Sequence, residues 1–332
     1  MTPTKQEGTA MAFVEFRNLQ TWFYTDNGIV KAVNGISFDI PAGKTVCIVG
    51  ESGCGKSVTA LSMMHLVQSP PGKVVGGQIL MDGKDLLKLS AKEMQQINGK
   101  EIGMIFQEPM TSLNPVFTVG YQIMENLMTH TSATKEEARK KAIEMIKLVN
   151  IPRAEEIVDC YPHELSGGMR QRVMIAMALI CHPRLLIADE PTTALDVTIQ
   201  AQILDLMRKL KKEFGMSIML ITHDLGVVAE MADYVVVMYA GKIVEKGSVD
   251  DIFSHPTHPY TIGLLKAKPV IGKTNHNERL YTIPGQVPYP INMPDMCYFS
   301  PRCELCTEQC KQHIPELKEI SSGHFVACCV KA

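Results

Sequence analysis

The run Gly50-Glu51-Ser52-Gly53-Cys54-Gly55-Lys56-Ser57 fills every fixed position of the G-x-x-x-x-G-K-[ST] pattern. Its chemistry is phosphate binding. Glycines let the backbone come close to an anion, and the N–H groups of the loop and of the following helix start face it. Lys56 can reach the β- and γ-phosphates of a nucleotide, and the Ser57 hydroxyl can ligate Mg²⁺. With the variable positions and Val58 on the first helical turn, the expected nucleotide-binding set runs from Gly50 to Val58.

Other residues supply what hydrolysis needs. Leu185-Leu186-Ile187-Ala188 is an apolar strand that ends in Asp189-Glu190, and parallel-sheet enzymes display their active groups at such ends. Asp189 suits the Mg²⁺ shell, and Glu190 can polarise the attacking water. His223 ends the Ile218–Thr222 strand and can hydrogen-bond a γ-phosphate or that water, and Gln107 follows the apolar Ile102–Phe106 with an amide for Mg²⁺ or water. A second Gly-rich helix start, Leu165-Ser166-Gly167-Gly168-Met169, has an N-cap-type serine and leads into the apolar run Val173–Ile180. One nucleotide has little use for two such anion sites on one chain. The pattern therefore implies nucleotide sandwiched between two subunits, with Ser166, Gly167 and Gly168 completing the partner's site.

The elements that must position these groups are legible as well. Thr45–Val49 reads as a buried strand and Ser57–Val67 as a helix, so the phosphate loop sits at a strand-to-helix turn. Before it, Phe13–Phe16 and Ile36–Ile40, separated by turn signals at Asn27-Gly28 and Pro41-Ala42-Gly43, predict a small antiparallel sheet. Helical periodicity runs from about 120 to 160; in Glu136–Val149, Ala142, Ile143, Ile146 and Val149 recur at three- and four-residue steps. Strands at Leu185–Ala188, Ile218–Ile221 and Tyr234–Met238, with a helix over Ile199–Glu213, predict an α/β fold with a mainly parallel sheet.

Composition narrows the class. A net charge of −2 among 332 residues, 20% of them charged, gives no field that would recruit nucleic acid. No stretch of about 18 apolar residues could cross a membrane, and Met1–Ala10 leads into no secretory apolar run, so a cytoplasmic location is expected. Beyond about 250 the chain turns Pro- and Cys-rich, with Pro256, Pro259, Pro269, Pro284, Pro288, Pro290, Pro294 and Pro301 leaving little room for long helices. A separate appendage is expected there. Cys297, Cys303, Cys306 and Cys310 lie within fourteen residues, and Cys328 and Cys329 follow. By spacing, Cys303, Cys306 and Cys310 plus Cys297 could form a four-thiolate site for zinc or an iron–sulfur cluster, or the thiols could ligate nothing.

The chain resembles an ATP-binding cassette (ABC) ATPase, the motor subunit of ABC transporters. Gly50–Ser57 matches the Walker A motif, Gln107 the Q-loop, Leu165–Met169 the signature, Leu185–Glu190 the Walker B motif, Ala194-Leu195-Asp196 the D-loop and His223 the switch histidine. The resemblance implies ATP and Mg²⁺ as ligands, Glu190, His223 and Gln107 as catalytic groups, Ser57, Gln107 and Asp189 as the Mg²⁺ set, and an aromatic stacked on adenine, for which Phe23 fits better than Tyr24. Further stretches, Leu165–Leu179, His255–Thr261, Ile283-Pro284-Gly285 and Cys297–Cys303, look like the D-type ATPase of oligopeptide and dipeptide permeases, a branch shared with nickel importers. It implies an F-type ATPase partner, two transmembrane permease subunits, an extracytoplasmic solute-binding protein, and a place on the cytoplasmic face of the membrane. Where that branch holds a [4Fe–4S] cluster, the matching positions are Cys297, Cys303, Cys310 and Cys328. The expected organisation is a flexible tail over 1–12, an ABC ATPase domain over 13–250 with a helical insert at about 108–167, and a C-terminal oligopeptide-permease-type domain over 251–332. Uptake of di- or oligopeptides is the expected function. A nickel-complex importer motor is the alternative within the branch, and outside it a non-transport ABC ATPase.

Overall fold

Alternation of apolar side chains along five neighbouring strands decides how the layers of this protein form. The computed structural model describes residues 12–108, 112–193, 195–267 and 281–331. The expected tail, apart from residue 12, lies outside the described residues, as do Ala194 and Pro269. The strands are β1 (Ala12–Thr25), β2 (Gly28–Pro41), β3 (Thr45–Val49), β4 (Gly72–Met81), β5 (Lys84–Asp85), β6 (Ile102–Ile105), β7 (Leu185–Asp189), β8 (Ser217–Ile221), β9 (Tyr234–Tyr239), β10 (Lys242–Ser248), β11 (Lys318–Ser321) and β12 (His324–Val326). The helices are α1 (Lys56–Met63), α2 (Ala91–Ile97), α3 (Val119–His130), α4 (Lys135–Leu148), α5 (Ala154–Ile157), α6 (Gly167–Leu179), α7 (Val197–Phe214), α8 (Leu225–Met231), α9 (Val249–Ser254) and α10 (Pro259–Lys266).

One sheet has the order β2-β1-β4-β5 and is antiparallel; the larger runs β11-β12-β10-β9-β3-β8-β7-β6. From β9 through β6 its strands are parallel, as a strand–helix–strand chain requires. Every residue of β3, β7 and β8 is buried, the signature of a parallel sheet covered on both faces. Cys47, Val49, Leu186, Ala188, Leu220 and Val237 pack toward the helices, together with Ile123, Ile146, Val173 and Met207. Their neighbours in sequence, Val46, Ile48, Ile187, Met219 and Met238, turn to the other side and meet Phe16 and Phe38 of the antiparallel sheet. Those two rings stack with centroids 4.3 Å apart. Each buried aliphatic side chain contributes about 1.5–3 kcal/mol, so a one-residue slip of any central strand would reverse its whole set.

The C-terminal region is less separate than its composition predicts. β12 pairs antiparallel with β10, Glu245 opposite Val326 and Lys246 opposite Phe325, and β11 pairs with β12. The core sheet thus ends in two strands from the Cys-rich region. A buried carboxylate fastens the join: Glu245 accepts hydrogen bonds from the Thr257 and His258 N–H groups at 2.8 and 2.9 Å, and its Oε1 lies 2.8 Å from His324 Nε2.

Candidate nucleotide site

β3 delivers the chain to the phosphate loop, and two of its glycines are there for want of space. A Cβ on Gly50 (φ 151°) would stand 2.2 Å from the Met238 carbonyl oxygen, and one on Gly55 (φ 101°) 2.1 Å from that of Ala32. Lys56, buried at the start of α1, donates to the Gly50 and Glu51 carbonyls at 2.8 and 3.1 Å. Its ammonium is therefore folded into the loop that it would serve. Ser52 and Gly53 are exposed, whereas Val58 packs partly against the inter-sheet core. Cys54 is fully buried, and burial pushes its thiol up, which makes it inert rather than reactive.

β7 carries Asp189 to within 3.1 Å of Ser57, whose hydroxyl donates to Asp189 Oδ1. Burial raises the Asp189 carboxyl above the usual carboxylate range, with the neighbouring Glu190 charge adding to it and the Ser57 bond opposing. A buried carboxylate beside a hydroxyl suits a hard, oxygen-seeking cation such as Mg²⁺, whose charge would relieve that burial. Glu190 follows in a left-handed conformation (φ 48°), its N–H held by the Ile221 carbonyl at 2.8 Å. That geometry turns its side chain to the groups expected around it. Glu190 Oε2 accepts from Gln107 Nε2 at 3.2 Å and from the Thr193 hydroxyl at 2.9 Å, and Oε1 lies 3.2 Å from His223 Nδ1. Gln107, Glu190 and His223 therefore converge, but Gln107 bonds the carboxylate rather than Asp189 or Ser57. Thr193 was invisible to sequence reasoning, for a threonine three residues after a strand-end acid carries no signal of its own.

Ser166 caps α6, its hydroxyl accepting from the Met169 N–H at 3.4 Å. Ser166 and Gly167 are exposed, and Gly168 packs against Ile199. Neither Ser166 nor Gly167 bonds to the chain's own phosphate loop. Phe23, on β1, lines a cavity of about 370 Å³ with Thr25, Val30, Ala32, Ser52 and Gly53. Tyr24 is 49% exposed and lies outside its lining. The far wall, Val287-Pro288-Tyr289-Pro290, comes from the C-terminal region, which is tied to β2 by the Lys31 N–H on the Pro290 carbonyl at 3.0 Å.

That region reaches the phosphate loop a second time. Arg302 clasps the Glu51 carboxylate with both terminal nitrogens, at 2.8 and 3.1 Å, and the Tyr260 hydroxyl accepts from the Glu51 N–H at 2.8 Å. The two residues stand 251 positions apart, too far for local pattern to relate them.

The cysteines are gathered without forming a metal site. All ten are free thiols. The Cys310 thiol neighbours those of Cys306 and Cys329 and lies 3.4 Å from the Thr307 hydroxyl, and Cys329 Sγ is 3.7 Å from His313 Nε2. Burial, ahead of all else, pushes the Cys297 thiol up to about 12. Among the described residues no group of three or more His, Cys, Asp or Glu side chains is arranged to hold a metal ion. Cys297, Cys303, Cys310 and Cys328 form no such group, so their placement gives the expected [4Fe–4S] cluster no support.

The family described as ABC transporter matches residues 33–193, and the oligopeptide/dipeptide transporter C-terminal region matches 244–310. The oligopeptide transport ATP-binding protein AppD of Bacillus subtilis is 53% identical over 95% of both chains. The oligopeptide transport ATP-binding protein OppD of Haemophilus influenzae is 50% identical over 96% of this chain and 97% of its own. Among solved structures, an ATP-binding cassette captured as a dimer in a post-hydrolysis state with ADP and phosphate matches with a TM-score of 0.64. It is 28% identical and covers 71% of this chain and 98% of its own.

Proposed function

Because the chain belongs to the ABC transporter family, in its oligopeptide/dipeptide branch, we infer that it is the ATP-hydrolysing motor of an importer of di- or oligopeptides. The observation that carries this is the convergence of Ser57, Asp189, Gln107, Glu190 and His223 at one end of the parallel sheet, while Ser166 and Gly167 stand exposed and unused by the chain's own loop. A site divided in this way is complete only when a second cassette supplies its signature corner.

In this reading Lys56 and the loop amides hold the β- and γ-phosphates, and Phe23 stacks on the adenine. Bound Mg²⁺, held by Ser57 and Asp189, would supply positive charge where the terminal phosphate separates. Glu190 accepts the proton of the attacking water, which attacks the γ-phosphorus as ADP leaves, His223 fixes the carboxylate and the γ-phosphoryl group being transferred, and Gln107 stands where its amide could serve the carboxylate or a bound cation. Ser166 and the Gly167 and Gly168 amides contact the γ-phosphate held by the partner cassette. Swinging such a dimer from mostly open to mostly closed takes about 5.5 kcal/mol of differential binding, within reach of several charge-assisted hydrogen bonds.

The partner cassette would be an F-type subunit. Two transmembrane permease subunits would form the pathway, fed by an extracytoplasmic solute-binding protein, with this chain on the cytoplasmic face. No helix among the described residues is long and apolar enough to cross a membrane, so passage through the bilayer would belong to those partners. Reconstituting the complete transporter in vesicles and measuring ATP-dependent uptake of labelled di- and oligopeptides beside nickel tests the assignment. Peptide uptake is the expected outcome, and uptake of nickel alone would move the chain to the other arm of its branch. For the cysteine region, Cys297, Cys303, Cys310 and Cys328 are the donor set that a [4Fe–4S] cluster would use. Anaerobic purification with assay of iron, acid-labile sulfide and zinc, and Cys297→Ser as control, tests it: iron and sulfide that vanish in the variant establish a ligated cluster, and their absence leaves plain thiols.

A further inference from the structure

Gly50–Ser57 contains a single acid, Glu51. A carboxylate in a loop built to receive polyanionic phosphates is an electrostatic error unless something cancels it. The Glu51 side chain is 30% exposed, and its partner Arg302 is 5% exposed and held from several sides. Beside the two bonds to Glu51, the guanidinium donates to the Pro284 carbonyl at 2.8 Å, to the Ile283 carbonyl at 3.4 Å and to the Tyr239 hydroxyl at 3.4 Å. The fork is thus fixed before the carboxylate arrives. Glu51 is in turn pinned along its backbone, its N–H by Tyr260 and its carbonyl by Lys56.

We propose that Arg302 is a positioning residue for nucleotide binding, which neutralises Glu51 and draws its carboxylate away from the phosphates. Nucleotide affinity then depends on the docking of the C-terminal region, because Arg302 lies between Cys297 and Cys303 in that region. This rests on the reading that Gly50–Ser57 cradles ATP.

The test is equilibrium binding of Mg·ATP to the full chain at low and high salt. Arg302→Gln leaves an unpaired carboxylate beside the phosphates, and its Kd should rise about tenfold at low salt and less at high salt. Arg302→Lys should recover only part, since an ammonium cannot reproduce the bidentate fork. The decisive variant is the double one, Arg302→Gln with Glu51→Gln, which should return the Kd to within about threefold of the parent because no charge remains to be cancelled. A double variant as weak as the single would overturn the proposal, since a merely structural tie is not repaired by cutting its second half. If Arg302→Gln does not fold, Glu51→Gln alone decides: tighter ATP binding supports the proposal, and unchanged or weaker binding refutes it. Lys56→Ala separates the two levels. If it binds ATP as well as the parent, the reading of the loop itself fails; if it binds weakly while the Arg302 series is flat, only the role of Arg302 fails.

Discussion

The end of the parallel sheet and the Cys-rich C-terminal region are both dense in reactive side chains, yet only the first assembles them. Ser57, Asp189, Glu190, Gln107 and His223 come from the start of α1, the end of β7 and the segments that follow β6, β7 and β8, and they meet within hydrogen-bonding distance. Six cysteines within 33 residues, Cys297 to Cys329, come close and form no metal-binding group among the described residues. Parallel strands in register deliver their ends to one line by geometry alone. A loop-rich segment has no such ruler, so proximity in sequence does not become convergence in space.

The sharpest way to break this contrast is at its catalytic end. Glu190→Gln should retain ATP binding while phosphate release falls by about 10²–10⁴-fold, and a variant that hydrolyses at the parent rate would remove Glu190 from the role of base. At the other end, beside the role proposed for Arg302, the C-terminal region does structural work. His324→Ala removes a hydrogen bond from the fully buried Glu245 carboxylate, which should lower stability by about 2 kcal/mol, read from the urea midpoint. His324→Gln, which keeps a donor, should recover most of the loss.

A more gradual effect belongs to His258. It is 2% exposed and accepts the Tyr260 N–H on Nδ1, and burial pushes it down to about 3. Its folded value lies below the unfolded one of about 6.5. The unfolded chain therefore binds a proton that the native chain refuses, and stability is lost as pH falls below about 6.5, by at most about 1.4 kcal/mol per pH unit until about 3. Melting curves between pH 7 and pH 5 should show that slope, and His258→Asn should flatten it. An unchanged slope would mean that other groups carry the acid sensitivity.

How much could be read in advance follows the same division. The phosphate loop, the strand ending in Asp189-Glu190, His223 and the α/β class with its mainly parallel sheet were legible, because each depends on local period or on a spacing fixed by backbone chemistry. The pairing of the C-terminal region with the core sheet was not legible: Lys318–Ser321 and His324–Val326 are too short to print a period, and β10, which pairs with the second of them, lies more than seventy residues earlier. Arg302 and Thr193 were missed because a bond across the fold leaves no trace in spacing. The cysteines were conspicuous by their density, but density of a ligand-type residue fixes no coordination geometry. Gln107 was expected to meet Mg²⁺ or water; its partner in the fold, Glu190 rather than the Asp189–Ser57 pair, depended on the left-handed turn at Glu190.

The outermost strand of the large sheet has a further consequence. β11 is only four residues long, exposed at every residue, and reads Lys-Glu-Ile-Ser, the short and charged rim that discourages one molecule from stitching itself onto the next. A chain cut after β10 would instead present a seven-residue strand with Ile243, Val244 and Glu245 buried in the intact protein. Its fate would be colloidal before it was enzymatic: such a fragment should clump on concentration, and the C-terminal strands serve this protein as its selvedge.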